Sequence, residues 1–99
     1  EVSTRKAIKL NPNFAQAHLN LGIILKDLGN LQEAEISTRK AIEYDANLAM
    51  AHSNLGGIFR DLGKSKEAEL SLRKAIEINP DLTQTYTSLG KVLKRLEEI

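Results

Sequence analysis

The 99-residue sequence predicts an all-α fold of antiparallel helix pairs, and three observations carry that prediction. The first is an internal period. TRKAI begins at Thr4 and again at Thr38, and LRKAI begins at Leu72, so the same segment returns every 34 residues. The second is that the offset also aligns AHLNLG from Ala17 with AHSNLG from Ala51, and DLG from Asp27 with DLG from Asp61. About 20 of the 34 positions in 15–48 recur unchanged in 49–82. The third is helical phase: within each unit the apolar residues recur at three- and four-residue steps rather than alternating.

Each unit divides into a helix A and a helix B. In the first full unit Ala17, Leu21, Ile24 and Leu28 form a stripe expected to be buried, widened by His18, Gly22 and Leu25. Asn13 with Gln16, and Asn30 with Glu33, have capping-box spacing at the starts of helices A and B. Gly29 is placed to stop helix A, because glycine reaches positive φ without steric cost. Helix B is expected to bury Ala34, Ala41, Ile42 and Tyr44, with Glu35–Arg39 and Glu69–Arg73 as solvated i,i+4 pairs. Gly22, Gly56 and Gly90 sit inside helix A, where glycine costs ~1 kcal/mol relative to alanine. Their recurrence in register implies a compensating close approach by the neighbouring helix. Units are separated by Pro12 and Pro80, whereas the middle junction carries Ala46 and is expected to make a softer corner. The organisation that results is a half repeat over 1–14 (helix B), full repeats over 15–48 and 49–82, and a half repeat over 83–99 (helix A), six helices in all.

Composition removes several function classes. Lysine and arginine number 14 against 13 acidic residues, and aromatics are 4%, which is poor material for a phosphate-tracking, base-stacking surface, so no nucleic acid is expected. No run approaches the ~18 apolar residues of a membrane span. There is no cysteine, hence no disulfide or thiolate chemistry. EVSTRKAIKL lacks the uninterrupted apolar segment of a secretory signal, which points to a cytoplasmic setting. The stretch GGIFRDLGKSKEAE, Gly56 to Glu69, imitates a phosphate-binding loop, but Ile58 to Leu62 put five residues between the glycines where the loop needs four. Its Gly63, Lys64 and Ser65 correspond to Gly29, Asn30 and Leu31 of the preceding unit and read as a turn between helices. His18 and His52 occur once per unit at a packing position, without carboxylates at ligand spacing, so no metal site is assigned. No catalytic residues and no cofactor are assigned either, and the chain is not expected to be an enzyme by itself.

These residues resemble the tetratricopeptide repeat family, whose pattern places a large residue, Leu-Gly, a second large residue, then small residues and a proline at set positions. Here those positions hold His18, Leu21, Gly22, Leu25, Ala34, Thr38 and Ala46, and then His52, Leu55, Gly56, Phe59, Ala68, Leu72 and Pro80. The resemblance implies that the helix pairs stack as a right-handed superhelical solenoid, and that helix A lines a concave groove holding a peptide. On the helical wheel, the side opposite the stripe carries Gln16, Leu19, Asn20, Ile23 and Lys26 with Asp27. It continues with Met50, Ser53, Asn54, Gly57 and Arg60 with Asp61, and then Gln84, Thr87, Ser88, Lys91, Lys94 and Arg95. Asn20 and Asn54 look like the asparagine ladder of the repeats attached to protein O-linked N-acetylglucosamine transferases, and an amide can both donate to and accept from a peptide backbone. Lys26, Arg60 and Lys94, joined by Lys91 and Arg95, suggest acidic partners, a field that Asp27 and Asp61 partly cancel. Leu19, Ile23 and Met50 are expected as an exposed apolar contact patch, and Gly57 as a clearing for a ligand backbone. Protein or peptide partners follow from this reading. Alternatives are a substrate-recruiting arm of a larger enzyme, such as a glycosyltransferase, and an assembly element. The terminal half repeats are complementary, so head-to-tail self-association through them is also expected.

Overall fold

The computed structural model describes residues 12–98. It contains α1 (Pro12–Asp27), α2 (Leu31–Tyr44), α3 (Ala49–Asp61), α4 (Ser65–Ile78) and α5 (Thr83–Glu97). Of the half repeat expected over 1–14, residues 1–11 lie outside the described residues, and residues 12–14 belong to α1. Successive helices pack as antiparallel neighbours, α1 on α2 and α3 on α4, with α2 against α3 and α4 against α5. The three A helices α1, α3 and α5 also touch in sequence and make one continuous wall.

The turns follow from a few backbone bonds. Gly29 and Gly63 adopt φ of 84° and 81°. At the first, the Gly29 N–H donates to Lys26 O at 3.0 Å and the Asn30 N–H to Leu25 O at 2.9 Å; at the second, Gly63 and Lys64 donate to Arg60 and Phe59 at 3.0 and 2.8 Å. These paired bonds are the Schellman closure, which satisfies carbonyls left over at a helix end. They also correct the capping-box expectation. Asn30 stands at the start of α2 but makes no side-chain cap bond, its backbone N–H being committed to the preceding helix. At the other end of the unit, α1 begins at Pro12, upstream of Asn13, in keeping with the suitability of proline for the first helical position.

The corner at Ala46 is built as the one at Pro80. Asp45 Oδ1 accepts from the Asn47 N–H at 3.0 Å, and Asn79 Oδ1 accepts from the Asp81 N–H at 3.0 Å. Each is an Asx turn, in which a side-chain oxygen reverses the chain locally. His52 Nε2 then donates to Ala46 O at 2.9 Å, as the Tyr86 hydroxyl does to Pro80 O at 2.9 Å. Helix α2 ends at Tyr44 with no continuation through Ala46.

Small residues set the helix spacing. Ala34, Ala41, Ala68 and Ala75 are fully buried. A Cβ on Gly56 would come within 2.5 Å of Leu72 Cγ, and one on Gly22 would collide with Thr38 Oγ1, whereas one on Gly90 would meet nothing within 4 Å. The main core joins Leu55, Phe59, Ala68, Leu72, Leu89 and Val92, and a second cluster joins Leu19, Ala41 and Ala51. One expectation is overturned here. The α1 stripe of Ala17, Leu21, Ile24 and Leu28 is exposed, Leu28 to 69%, although its α3 counterparts Ala51, Leu55 and Ile58 are buried. In α3 that stripe faces α2, whose Ile42 packs against the core; the chain preceding α1 lies outside the described residues.

The glycine contacts give a paired prediction. Gly56→Ala should destabilise, since overpacking of about 1–3 kcal/mol exceeds the roughly 1 kcal/mol gained in helix propensity. Gly90→Ala, with open space above it, should stabilise by up to about 1 kcal/mol. Urea unfolding of the two variants beside the parent chain measures both.

Candidate functional site

The three A helices together line a hollow of about 340 Å³. Ile23 and Lys26 of α1, Met50, Ser53, Asn54, Gly57 and Arg60 of α3, and Gln84 and Ser88 of α5 line it. A second hollow of about 730 Å³ continues from Arg60 along the C-terminal half of α5, lined by Asp61, Lys91, Lys94, Arg95 and Glu98. Thirteen of the eighteen residues expected on the groove face therefore meet in two adjoining hollows. Gln16, Leu19, Asn20, Asp27 and Thr87 line neither.

Leu19 is a correction. It is 2% exposed and packs with Ala41 and Ala51. Its wheel position points along the wall into the next A helix rather than into the groove. The same pair of positions one repeat later is Ser53 against Thr85, and there the seam is polar: Ser53 Oγ and Thr85 Oγ1 share a hydrogen bond of 3.0 Å, with both residues buried. Thr87, the third residue at this position, is exposed. Ile23 and Met50 remain partly open beside Leu19, so the apolar patch survives without it.

The asparagines differ from one another. Gln16 Nε2 donates to Asn20 Oδ1 at 3.0 Å along the outer turn of α1. Asn54 Nδ2 donates to Thr38 Oγ1 at 3.0 Å, which ties the groove wall to α2. Thr38 was missed as a groove determinant because it reads as a core position, the equivalent of Leu72. In α5 the ladder position holds Ser88, half-buried and lining the hollow.

Gly57 is a second correction. It is buried, and a Cβ there would stand 2.9 Å from Lys26 Cε, so the space above it is filled by the Lys26 stem. Lys26 Nζ lies 3.7 Å from Asp61 Oδ2, and Arg60 Nε lies 3.4 Å from Asp61 Oδ1. Exposed pairs of this kind are worth about 0–1 kcal/mol, so their effect is on the field more than on stability. The charge is uneven as a result. Asp61 answers Lys26, but its counterpart one repeat on is Arg95, which joins Arg60, Lys91 and Lys94 against Asp61 and Glu98.

The histidines are used in packing. The His18 ring lies 5.0 Å from that of Tyr44, and His52 holds the Ala46 corner. Among the described residues, no three His, Cys, Asp or Glu side chains gather where a metal could be held. No helix among them is long and apolar enough to cross a membrane.

Family models described as tetratricopeptide repeat match residues 4–36 and 49–82. The chain belongs to the tetratricopeptide repeat family. The second TPR of Spaghetti (RPAP3), solved bound to the HSP90 peptide SRMEEVD, superimposes with a TM-score of 0.85 at 19% identity, covering 91% of this chain and 83% of that one. YrrB, described as a TPR protein with an unusual peptide-binding site, gives 0.81 at 29% identity over 94% of this chain and 48% of its own. MamA gives 0.81 at 25% identity over 94% and 54%. The chain thus spans about half the length of those two TPR proteins. A search of the curated proteins finds no match.

The burial of Leu19 sets a test. Leu19→Ala should cost about 2–5 kcal/mol, the usual range for emptying a core leucine site. Ile23→Ala, at the groove edge, should cost clearly less. Chemical denaturation of both variants separates a seam residue from a groove residue.

Proposed function

We propose that this TPR chain is a protein-interaction scaffold that holds an extended peptide in its concave groove and favours acidic ones. The observation carrying this reading is the pair of adjoining hollows. One offers apolar contact from Ile23 and Met50 beside the polar groups of Asn54, Gln84 and Ser88, and the other offers a surplus of basic side chains. An amide such as Asn54 contributes bonds to a peptide backbone whatever its side chains, while Arg60, Lys91, Lys94 and Arg95 supply charge preference. The peptide-binding site named for YrrB supports the same use of the family's fold, and the Spaghetti complex supports the fold alone.

The Lys26–Asp61 pair orders the groove. Its α1 end is closer to neutral and its α5 end is cationic, so an acidic segment is drawn toward α5. Asn20 and Gln16, bonded to each other on the outer turn, contribute at the rim if the ligand reaches them, and Thr87 does likewise on α5. End-to-end stacking of copies would use other surfaces and leave this groove open.

Selection of peptides from a random display library against the chain, followed by fluorescence titration, tests the proposal. Selected peptides should be enriched in Asp and Glu, and their affinity should fall as salt rises. Asn54→Ala should weaken every selected peptide, and Lys91→Glu with Lys94→Glu should weaken the acidic ones most. Failure to select any peptide, or affinities indifferent to all these substitutions, would overturn it.

A further inference from the structure

We infer that Met50 is an oxidisable switch in the groove, its conversion to the sulfoxide by a peroxide weakening the hold on apolar side chains of a bound peptide. The inference rests on the groove reading above and adds a regulation of that same site. Met50 is the chain's one methionine, and with no cysteine in the sequence its thioether is the only sulfur. It stands on α3, the middle A helix, half-buried and lining the hollow of about 340 Å³ that α1 and α5 close from either side. It packs against the cluster of Leu19, Ala41 and Ala51, as Ile23 does. Its sulfur meets Gln84 of α5, an exposed residue whose Nε2 donates to Sδ at 3.5 Å.

The repeat shows what the oxidised side chain would resemble. The equivalent positions on α1 and α5 are Gln16 and Gln84, so Met50 is an apolar interruption in a row of glutamines. Oxidation turns a flexible apolar side chain into a polar one carrying a single oxygen acceptor, much as glutamine does. The peroxide balances the step by itself. A sulfur lone pair attacks one peroxide oxygen, the S–O bond forms as the O–O bond breaks, and sulfur is oxidised while hydrogen peroxide is reduced to water. A methionine sulfoxide reductase, supplied with a thiol, reverses it. A thioether is only a weak acceptor, so the Gln84 amide already aimed at Met50 gains a better partner in the sulfoxide oxygen. The groove then loses apolar contact beside Ile23 and has one amide donor fewer for a peptide backbone. Arg60, Lys91, Lys94 and Arg95 are chemically untouched, and the preference for acidic segments stays.

The test uses peptides selected as above that hold one leucine, isoleucine or valine among acidic residues and contain no sulfur. The folded chain is treated with hydrogen peroxide, the peroxide is removed, and uptake of one oxygen is read by mass spectrometry. Met50 should oxidise in the folded chain at a rate comparable to that in urea, with cooperative thermal melting retained. Peptide affinity should fall about tenfold, the scale of one group in an apolar pocket. The salt dependence should be unchanged, and the reductase with dithiothreitol should restore binding. Met50→Gln should reproduce the loss without peroxide, whereas Met50→Leu should bind as the parent does before and after treatment. A Met50 that resists peroxide until the chain is unfolded, oxidation that unfolds the chain, affinity indifferent to oxidation, or an equal loss in treated Met50→Leu would overturn the inference and leave the groove reading standing. Failure to select any peptide would overturn both.

Discussion

A side chain of each B helix rests on bare backbone in the A helix before it: Thr38 on Gly22, Leu72 on Gly56. That contact brings the paired helices close enough for the fully buried alanines to meet and fixes how each A helix is rotated about its own axis. Rotation decides which side chains line the hollows. With one face pinned against helix B and a second turned into the neighbouring A helix, only the remaining arc can line the groove. Ile23, Asn54, Gly57 and Arg60 lie on it, and Leu19 is rotated just beyond it.

The groove's electrostatics grow from small departures between repeats. The equivalent positions 61 and 95 hold aspartate and arginine, and that one change turns a paired lysine in α1 into an unbalanced cluster beside α5. The positions 38 and 72 hold threonine and leucine, so Asn54 is tethered from behind by a hydroxyl while Ser88 has no such partner at the equivalent site. An array of nearly identical units thereby acquires direction. The asymmetry comes from variation laid over a repeat that fixes the geometry.

Much of the fold was legible in the sequence, because period, helical phase and glycine register are properties of the chain read linearly. Gly29 and Gly63 were found as helix stops for a reason that depends only on local backbone sterics. The groove was less legible. A helical wheel separates one face from its opposite but does not show where the neighbouring A helix comes in, and so Leu19 was read as groove when it forms the seam between A helices, while Ser53 belongs to both the seam and the hollow. Gly57 was read as open because nothing in the sequence says that a lysine one repeat away lies across it. Asn30 had the residue type and spacing of a cap, but its backbone was already occupied in closing the previous helix.

The corner between repeats has a consequence for how such arrays change length. Asp45 and His52 together hold the Ala46 bend, and Asn79 and Tyr86 hold the Pro80 bend, each clasp spanning eight residues from its first member to its last. The angle from one unit to the next is therefore written inside a short, contiguous stretch and not in contacts with distant parts of the chain. A 34-residue cassette cut from one corner to the next carries its own joint with it, and duplication or loss of a cassette would lengthen or shorten the groove without altering its pitch.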